Sequence, residues 1–327
     1  MKNNLRWGVF ALFLLLAACS GEKGVETQTE TVELKPYPNF QADSAFAFVK
    51  KQVDFGPRVP GTPAHSNTKQ WIIQTLSSYG WSVQVQDFQA QTYDNLTWNL
   101  SNIIASYNPQ ASKRILLSAH WDTRRIADKD KQRINQAIAG ANDGASGVGV
   151  LMEIARIIGT QKLNPEVGID IILFDGEDDG EPENSFSKDP SKIWWCHGSQ
   201  YWSKNKHVPN YSAYYGILVD LVGAKNARFY REGYSRKYAS GIVSKIWSNA
   251  SLLGHSGFFI SQDAPEILDD HLFINEWAGI PTADIIDFSP ELGFGSYHHT
   301  HQDDMQLIDV RTLKAVGETV LATVYQE

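Results

Sequence analysis

The stretch that decides the fold is "VGIDIILFDGEDDGE", residues 167–181. Its first half is a near-continuous apolar run, as expected of a strand buried on both faces of a sheet. Its second half, "FDGEDDGE" from Phe174 to Glu181, sets five acidic residues among eight at the strand's carboxyl end. Unpaired buried charge is strongly unfavourable. These acids therefore need partners, and the question is what they hold.

Three further apolar runs end in or carry polar groups: "RILLSAHWD" ends in His120 and Asp122, "YGILVDLVG" carries Asp220, and "TADIIDF" follows later. Two earlier segments, "SVQVQDFQAQ" and "LSNIIASYN", read as antiparallel neighbours. Helical segments lie between the strands: "SNTKQWIIQTLSSYG", "GASGVGVLMEIARIIGT", "KIWWCHGSQYWSKN" and "RKYASGIVSKIWSNASLLG". A last helix, "DVRTLKAVGETVLATVYQE", spaces Val310, Leu313, Val316, Val320, Leu321 and Val324 at helical intervals. This alternation predicts an α/β fold with a mixed, mostly parallel central sheet flanked by helices on both faces. Ligands of such sheets bind outside the carboxyl ends of the strands, which is where His120, Asp122, Glu177, Asp178 and Asp220 fall.

The chain has 327 residues, 42% hydrophobic and 12% aromatic, enough for one large domain and too apolar for a disordered chain. Its net charge of -8 and the absence of a basic stripe exclude nucleic acid as a partner. At the N-terminus, Lys2 and Arg6 precede an apolar run from Trp7 to Ala18 that is too short to span a bilayer. Residues 1–18 read as a secretory signal. Leu16-Ala17-Ala18-Cys19 resembles a bacterial lipobox, which implies cleavage before Cys19 and its lipidation. Residues 19–38 are Thr/Glu-rich and aperiodic, a flexible tether, and residues 39–327 form a single catalytic domain. The expected location is the bacterial periplasm or cell envelope, with a membrane anchor at Cys19. Cys196 is then the only cysteine of the mature body, so no intrachain disulfide forms there, and it reads as a packed apolar residue.

His120, Asp143 in "GANDGASG", Glu177, Asp178, Asp220 and His299 in "YHHTHQDD" all follow strands or Gly-rich loops and can converge on one crevice. Mixed carboxylate and imidazole donors suit zinc. Three protein ligands with an open position would make the site catalytic.

In sequence order, "PRVPGTPAHSNTKQWI", "SNIIASYNP", "LLSAHWDTR", "GANDGASGVGVLMEIAR", "ILFDGEDDGE", "GSQYWSKN", "LVDLVGA", "LDDHLFINEWAGIP" and "HHTHQDD" resemble the zinc aminopeptidase-like family that includes the glutaminyl cyclases. The resemblance runs from about Gly56 to the C-terminus. It implies a zinc-exopeptidase-like fold of the phosphorylase/hydrolase type. It further implies that Asp143, Asp178 and His299 are zinc ligands and that Glu177 is the general base. His120 and Asp220 match the residues that complete a second metal site in the family's aminopeptidases. Cyclases keep these residue types yet use one zinc, so the pair leaves the metal count open. Asp269 in "LDDH" stands where the aminopeptidases usually carry Ser and the cyclases carry Asp. Such an acid can hydrogen-bond Asp220 or the amide nitrogen of a bound glutamine side chain.

The resemblance thus implies a zinc-dependent glutaminyl-peptide cyclotransferase acting on peptides or proteins with N-terminal glutamine. The alternative is a binuclear zinc aminopeptidase, and a third reading is a lipid-anchored binding protein without activity. Trp194 or Trp195 could wall a pocket for the flat side chain, or belong to the core. The chain departs from the animal cyclases at Asp178, where they carry Glu; at His298, where they carry Trp; at Asp284, where they carry a pocket His; and in the longer insertion "DGEPENSFSKDPSK". Asp175 is expected to fix its loop, Asp179 and Glu181 to face water, Asp122 to orient His120 or a loop amide, and Asp270 to cap a helix. His271 is expected to cap a helix or orient Asp269, and His298 and His301 to flank the ligand histidine.

Overall fold

The structure, a computed structural model, describes residues 33–182, 185 and 191–327. Residues 1–18, read as a signal, Cys19 and most of the stretch read as a tether lie outside the described residues. The compact body runs from Leu34 to Glu327. The Lys35 amide donates to Gln326 Oε1 at 2.7 Å, and Tyr37 packs on the core. Residues 34–38, read as tether, are therefore docked; their partner lies 291 positions away, beyond any local pattern.

The chain opens with α1 (Ala42–Asp54) and α2 (Pro63–Ser78), followed by the long hairpin strands β1 (Ser82–Gln91) and β2 (Thr97–Tyr107). Then come β3 (Arg114–His120), α3 (Ala145–Thr160), β4 (Gly168–Phe174), α4 (His197–Lys204) and β5 (Tyr215–Asp220). A short parallel pair, β6 (Phe229–Arg231) and β7 (Phe259–Asp263), brackets α5 (Gly233–Leu252). Helix α6 (Asp270–Phe273) runs into a π-helical turn (Ile274–Ala278) ahead of β8 (Thr282–Ile286). A small hairpin, β9 (Phe288–Ser289) and β10 (Gly293–Phe294), precedes the last helix, α7 (Val310–Tyr325).

Six strands make the central sheet in the order β1-β2-β4-β3-β5-β8. β1, β2 and β4 pair antiparallel, while β4, β3, β5 and β8 are mutually parallel. Because side chains alternate across a strand, Ile115, Leu117 and Ala119 of β3 face the larger core with α1, α3, α5 and α7. Leu116 faces the other way, onto Ile172, Phe174, Trp202 of α4 and Ile274 of the π turn. The sheet is mixed, mostly parallel and covered on both faces, with the thinner cover made by α4 and the π turn.

The connections position the site. From β3 the chain crosses through α3 to β4 on one side, then returns through α4 to β5 on the other side of β3. That reversal is a topological switch point, and a crevice opens outside the strand ends there. His120 ends β3 and Asp220 ends β5, so both stand at its mouth.

Two elements differ from expectation. The helix predicted across "KIWWCHGSQYWSKN" starts only at His197, because Cys196 takes a left-handed conformation with φ 60°. Helix α1 is absent from the expectations because its buried stripe is only Ala45, Val49 and Gln52.

Gly147 lets the first turn of α3 approach β5: a Cβ there would stand 2.3 Å from the Val219 carbonyl oxygen. Gly147→Ala should destabilise the fold by about 1–3 kcal/mol, as overpacking does. The expected reading is a lower urea midpoint with an unchanged m-value.

Candidate active site

The crevice is a cavity of about 330 Å³. Asp143, Glu177, Asp220, Asp269, His298 and His299 form its polar side, and Trp195, Ile267, Leu268, Ile286, Phe288 and Phe294 its apolar side.

Each functional loop is fixed by a carboxylate that is not itself a candidate ligand. Asp122 accepts from the backbone N–H groups of Glu177 at 3.1 Å and Asp178 at 3.2 Å. Its Oδ1 also lies 3.5 Å from His120 Nδ1, so it orients both the loop and the imidazole. Asp303 does the same for the Asp143 loop, accepting from Asn142 N at 2.6 Å and Asp143 N at 3.0 Å. Buried Arg58 braces that loop through the carbonyls of Ala139 and Gly140. Asp175 accepts from His65 Nε2 at 3.0 Å and Ser101 N at 2.6 Å, which anchors the start of the "DGED" turn.

These braces leave His299 facing two carboxylate oxygens from different loops, while the trio whose donor atoms all fall within 4.8 Å of one another on this side is Asp143, His298 and His299. His299 Nε2 lies 3.2 Å from Asp178 Oδ1 and 3.8 Å from Asp143 Oδ2. The two oxygens are buried and neither makes a hydrogen bond among the described residues. The other Asp178 oxygen accepts from Arg124 N at 2.9 Å, so only Oδ1 remains for a ligand. On the far side of the ring, His299 Nδ1 faces Asp128 Oδ1 at 3.5 Å, and Asp128 is held by Arg124 Nε and Nη2. A carboxylate behind a histidine, leaving Nε2 directed at two orphaned carboxylate oxygens, is a donor set that fits zinc.

The electrostatics agree. Burial and neighbouring Asp143 push Asp178 up to about 6, against the pull of His299. Burial works against charge on His299, yet Asp178 and Asp128 hold its imidazolium up to about 9. Asp143 stays below the usual carboxylate range because His120, His298 and His299 outweigh its burial. Imidazolium protons thus occupy the electrostatic role a cation would take over.

His298 stacks on His299 with ring centres 3.7 Å apart, and its Nε2 comes within 3.9 Å of Asp143 Oδ2. Its Nδ1 faces Lys129 Nζ at 3.2 Å. An ammonium can only donate, so a neutral His298 carries its proton on Nε2 and points a donor at Asp143. That favours His299 as the ligand histidine. His301 bonds Asp130 on the cavity's outer side.

His120 Nε2 lies 3.1 Å from Asp143 Oδ1 and 3.2 Å from Asp220 Oδ1. One donor atom from each of these three residues falls within 4.8 Å of the others, a second possible metal set. Glu177 projects between this cluster and Asp269. Burial, then Asp269 and Asp178, push its carboxyl well above the usual range, with His120 opposing.

Asp269 Oδ1 accepts from Asp270 N at 2.5 Å, capping α6, while Oδ2 is buried without a hydrogen-bond partner among the described residues. The expected bond from Asp269 to Asp220 is therefore not made; the two interact through charge. Burial, with Asp220 and Asp270, raises Asp269 well above its ordinary value. The cap of α6 is Asp269 and not Asp270, because only Asp269 has the extended backbone that turns its side chain onto the first amide. His271 is tied to Glu232 at 2.9 Å and serves neither as a cap nor as a partner hydrogen-bonded to Asp269. Asp284 is fully buried, and neither of its oxygens has a hydrogen-bond partner among the described residues.

Trp195 walls the cavity, stacking on His299 at 5.7 Å and on the Arg124 guanidinium at 4.7 Å. Trp194 lies outside the lining, with Lys192 Nζ over its ring at 5.3 Å. Asp179 does not face water: it is buried and accepts from Trp98 Nε1 at 2.7 Å and Arg125 Nε at 2.6 Å. Glu181 is half-buried and accepts from Ser185 Oγ. Sequence reasoning missed Asp128, Asp303, Arg58, Arg124, Phe288 and Phe294: Arg58, Arg124 and Asp303 lie inside quoted motifs and Phe288 ends a quoted strand, but what each of them touches is set by partners distant in sequence. The packed thiol Cys196 also turns out to touch Glu177 Oε1 at 3.3 Å.

The sequence profile of peptidase family M28 matches residues 102–324. A crystal structure of Bacteroides thetaiotaomicron glutaminyl cyclase bound to N-acetylhistamine is 48% identical, with a TM-score of 0.86 over 89% of this chain and 100% of that one. A Zn-dependent exopeptidase from Parabacteroides distasonis is 46% identical, also with a TM-score of 0.86, over 89% of this chain and 100% of that one. A glutaminyl-peptide cyclotransferase of Drosophila melanogaster is 28% identical over 183 residues, 53% of this chain and 47% of that protein. The chain thus spans about half the length of that curated relative.

Asp128→Asn removes the carboxylate behind His299 without touching a ligand. It should weaken zinc affinity by roughly 10–100-fold, as loss of such a partner does elsewhere. Competition with a chelator measures it; an unchanged affinity would remove Asp128 from the metal centre.

Proposed function

The chain belongs to peptidase family M28, and on that premise we propose that it is a zinc-dependent glutaminyl-peptide cyclotransferase. It converts the N-terminal glutamine of peptides or proteins to pyroglutamate and releases ammonia. The observation that carries this reading is Asp269, which lines the cavity beside Glu177 and whose Oδ2 is buried without a hydrogen-bond partner among the described residues. A site that only activates water on a peptide bond has no evident need of that acid. Similarity to the solved bacterial glutaminyl cyclase supports the same reading.

Asp143, Asp178 and His299 would hold one zinc, which supplies Lewis-acid polarisation of the side-chain amide carbonyl. Glu177 stands at the cavity floor with its side chain 12% exposed, within reach of a substrate amine. It takes a proton from the α-amino nitrogen as that nitrogen bonds to the side-chain carbonyl carbon. It returns the proton to the departing amide nitrogen as the carbon–nitrogen bond breaks, so ammonia leaves and no water is consumed. Asp269 Oδ2 accepts from the amide N–H₂, with Asp220 beside it. Trp195, Phe288 and Phe294 exclude water and hold the glutamine folded. Both reactants belong to one residue, so this conformational restraint is a large part of the catalysis.

The second reading, a binuclear aminopeptidase, draws on His120, Asp143 and Asp220, whose donor atoms approach within 4.8 Å. Export and a lipid anchor at Cys19 complete the proposal, supported by Leu16-Ala17-Ala18-Cys19. The enzyme would then act in the periplasm or cell envelope on N-terminal glutamine peptides.

Zinc-loaded protein should carry one metal equivalent and release ammonia from a Gln-initiated peptide. Two equivalents together with cleavage of a Leu-initiated peptide would overturn the cyclase reading. Glu177→Gln should lower kcat by roughly 10²–10⁴-fold while zinc remains bound; metal analysis alongside the rate separates loss of the base from loss of the metal. Cys19→Ser should abolish incorporation of labelled palmitate and release the protein from membranes, and palmitate retained in that variant would rule the anchor out.

A further inference from the structure

A thiol that the proposed reaction does not use stands against its general base. Cys196 is fully buried and sits just ahead of α4 with φ 60° and ψ 36°. The left-handed conformation disfavours a residue with a Cβ, so the surrounding structure must impose it. Two backbone bonds do so: Cys196 N donates to Glu177 O and His197 N to Gly176 O, both at 3.0 Å. They zip the start of α4 to the "DGED" turn and lay the sulfur on the base, with Sγ–H donating to Glu177 Oε1 at 3.3 Å. The third member is Asp269, which is 3% exposed and whose Oδ2 has no hydrogen-bond partner among the described residues. One donor atom each from Glu177, Cys196 and Asp269 falls within 4.8 Å of the other two.

We infer that Cys196, Glu177 and Asp269 form a second, inhibitory site for a thiophilic divalent ion such as Cd²⁺ or excess Zn²⁺. One thiolate and two carboxylates form a donor set for soft or borderline ions and discriminate against Mg²⁺ and Ca²⁺, which demand oxygen throughout. Metal–sulfur and metal–oxygen bonds of about 2.3 and 2.0–2.2 Å span such a trio after small side-chain shifts. The cavity supplies the entry path, because Glu177 and Asp269 line it. On binding, the Cys196 S–H bond breaks, a sulfur–metal bond forms and the proton passes to solvent; no electron is transferred. The ion shares no residue with Asp143, Asp178 and His299, so it adds to the catalytic zinc instead of replacing it. With its carboxylate bound, Glu177 cannot take the substrate's proton. That last consequence rests on the function proposed above, whereas the binding itself does not.

The test uses zinc-loaded protein carrying Cys19→Ser, so that Cys196 is the only thiol. Cd²⁺ is titrated while three signals are followed: the ultraviolet thiolate-to-cadmium charge-transfer band, retained zinc and ammonia release. The expected result is one cadmium per chain beside the zinc, with inhibition that saturates in step with the band and reverses with a chelator. Cys196→Ser should abolish the band and raise the cadmium needed for half-inhibition at least tenfold, relative to its own uninhibited rate. Asp269→Asn keeps the thiol and should shift the band's midpoint to higher cadmium. It decides the matter if circular dichroism shows Cys196→Ser misfolded. The inference is overturned if cadmium binds without the band, displaces zinc one for one, or acts equally on Cys196→Ser. A protein that forms the band but releases no ammonia in the absence of cadmium would retain the metal site and lose the cyclase reading.

Discussion

Buried carboxylates gathered in and around the carboxyl-terminal parts of the parallel strands set the terms for everything around them. Asp122, Asp143, Asp178, Asp220, Asp269, Asp270 and Asp284 are all under a tenth exposed. Each must be neutralised by a proton, a hydrogen bond or a cation. The fold uses all three. Asp122 and Asp303 spend their charge on pairs of adjacent backbone amides. Asp128 is met by a forked contact from Arg124. Arg58 is so deeply buried that its guanidinium is pulled down to about 10 despite four acids that favour its charge. Asp269 and Asp284 are pushed upward by burial and by the neighbouring acids, as expected of carboxyls that keep protons. Asp143 and Asp178 are left with oxygens that no side chain satisfies, and there a metal ion is the natural counter-charge.

The sheet makes this concentration of charge possible. Its reversal of strand order places His120 and Asp220 at adjacent strand ends, and loops bring in the rest. Three non-glycine residues in left-handed conformations stand in those loops: Cys196, Leu221 and His299. Each adjoins or is a site residue. Leu221 follows Asp220 and donates its N–H back to Asp220 Oδ1 at 2.8 Å. Backbone strain of this kind persists only where the surroundings impose it. Here it aims side chains that regular strand or helix geometry would send elsewhere.

Much of this was legible in the sequence because it is local. Apolar runs marked β3, β4, β5 and β8, helical spacing marked α2, α3, α5 and α7, and acids at strand ends marked the crevice. What stayed hidden depends on distant partners. Asp303 meets Asn142 across 161 positions. Asp179 is buried only because Trp98 and Arg125 converge on it from β2 and from the loop after β3. Asp128 sits in a long loop without periodicity, and nothing before the three-dimensional fold reveals that it backs His299. Trp194 and Trp195 are equivalent in sequence, and only the late start of α4 decides which ring reaches the cavity.

The stretch "FDGEDDGE" thereby acquires a division of labour that composition alone could not assign. Asp175 anchors the turn through His65 and Ser101, Asp178 turns one oxygen to an amide and the other to the metal set, and Asp179 stacks the loop against β2. Glu177 alone points into the cavity, and its two oxygens have different neighbours. Oε1 receives the thiol of Cys196, while Oε2 comes within 4.0 Å of His120 Nδ1. The thiol contact at Oε1 restricts rotation of the carboxylate that the proposed function uses as its base. That proposed reaction also needs an acceptor for the nitrogen that leaves. Asp269 has one oxygen committed to its helix cap and one still free, so it can accept a single N–H there. A serine at that position would offer a hydroxyl on a shorter side chain in place of that carboxyl oxygen. The acid beyond Glu177, more than the acids beside it, therefore separates chemistry on an amide side chain from hydrolysis of a peptide bond.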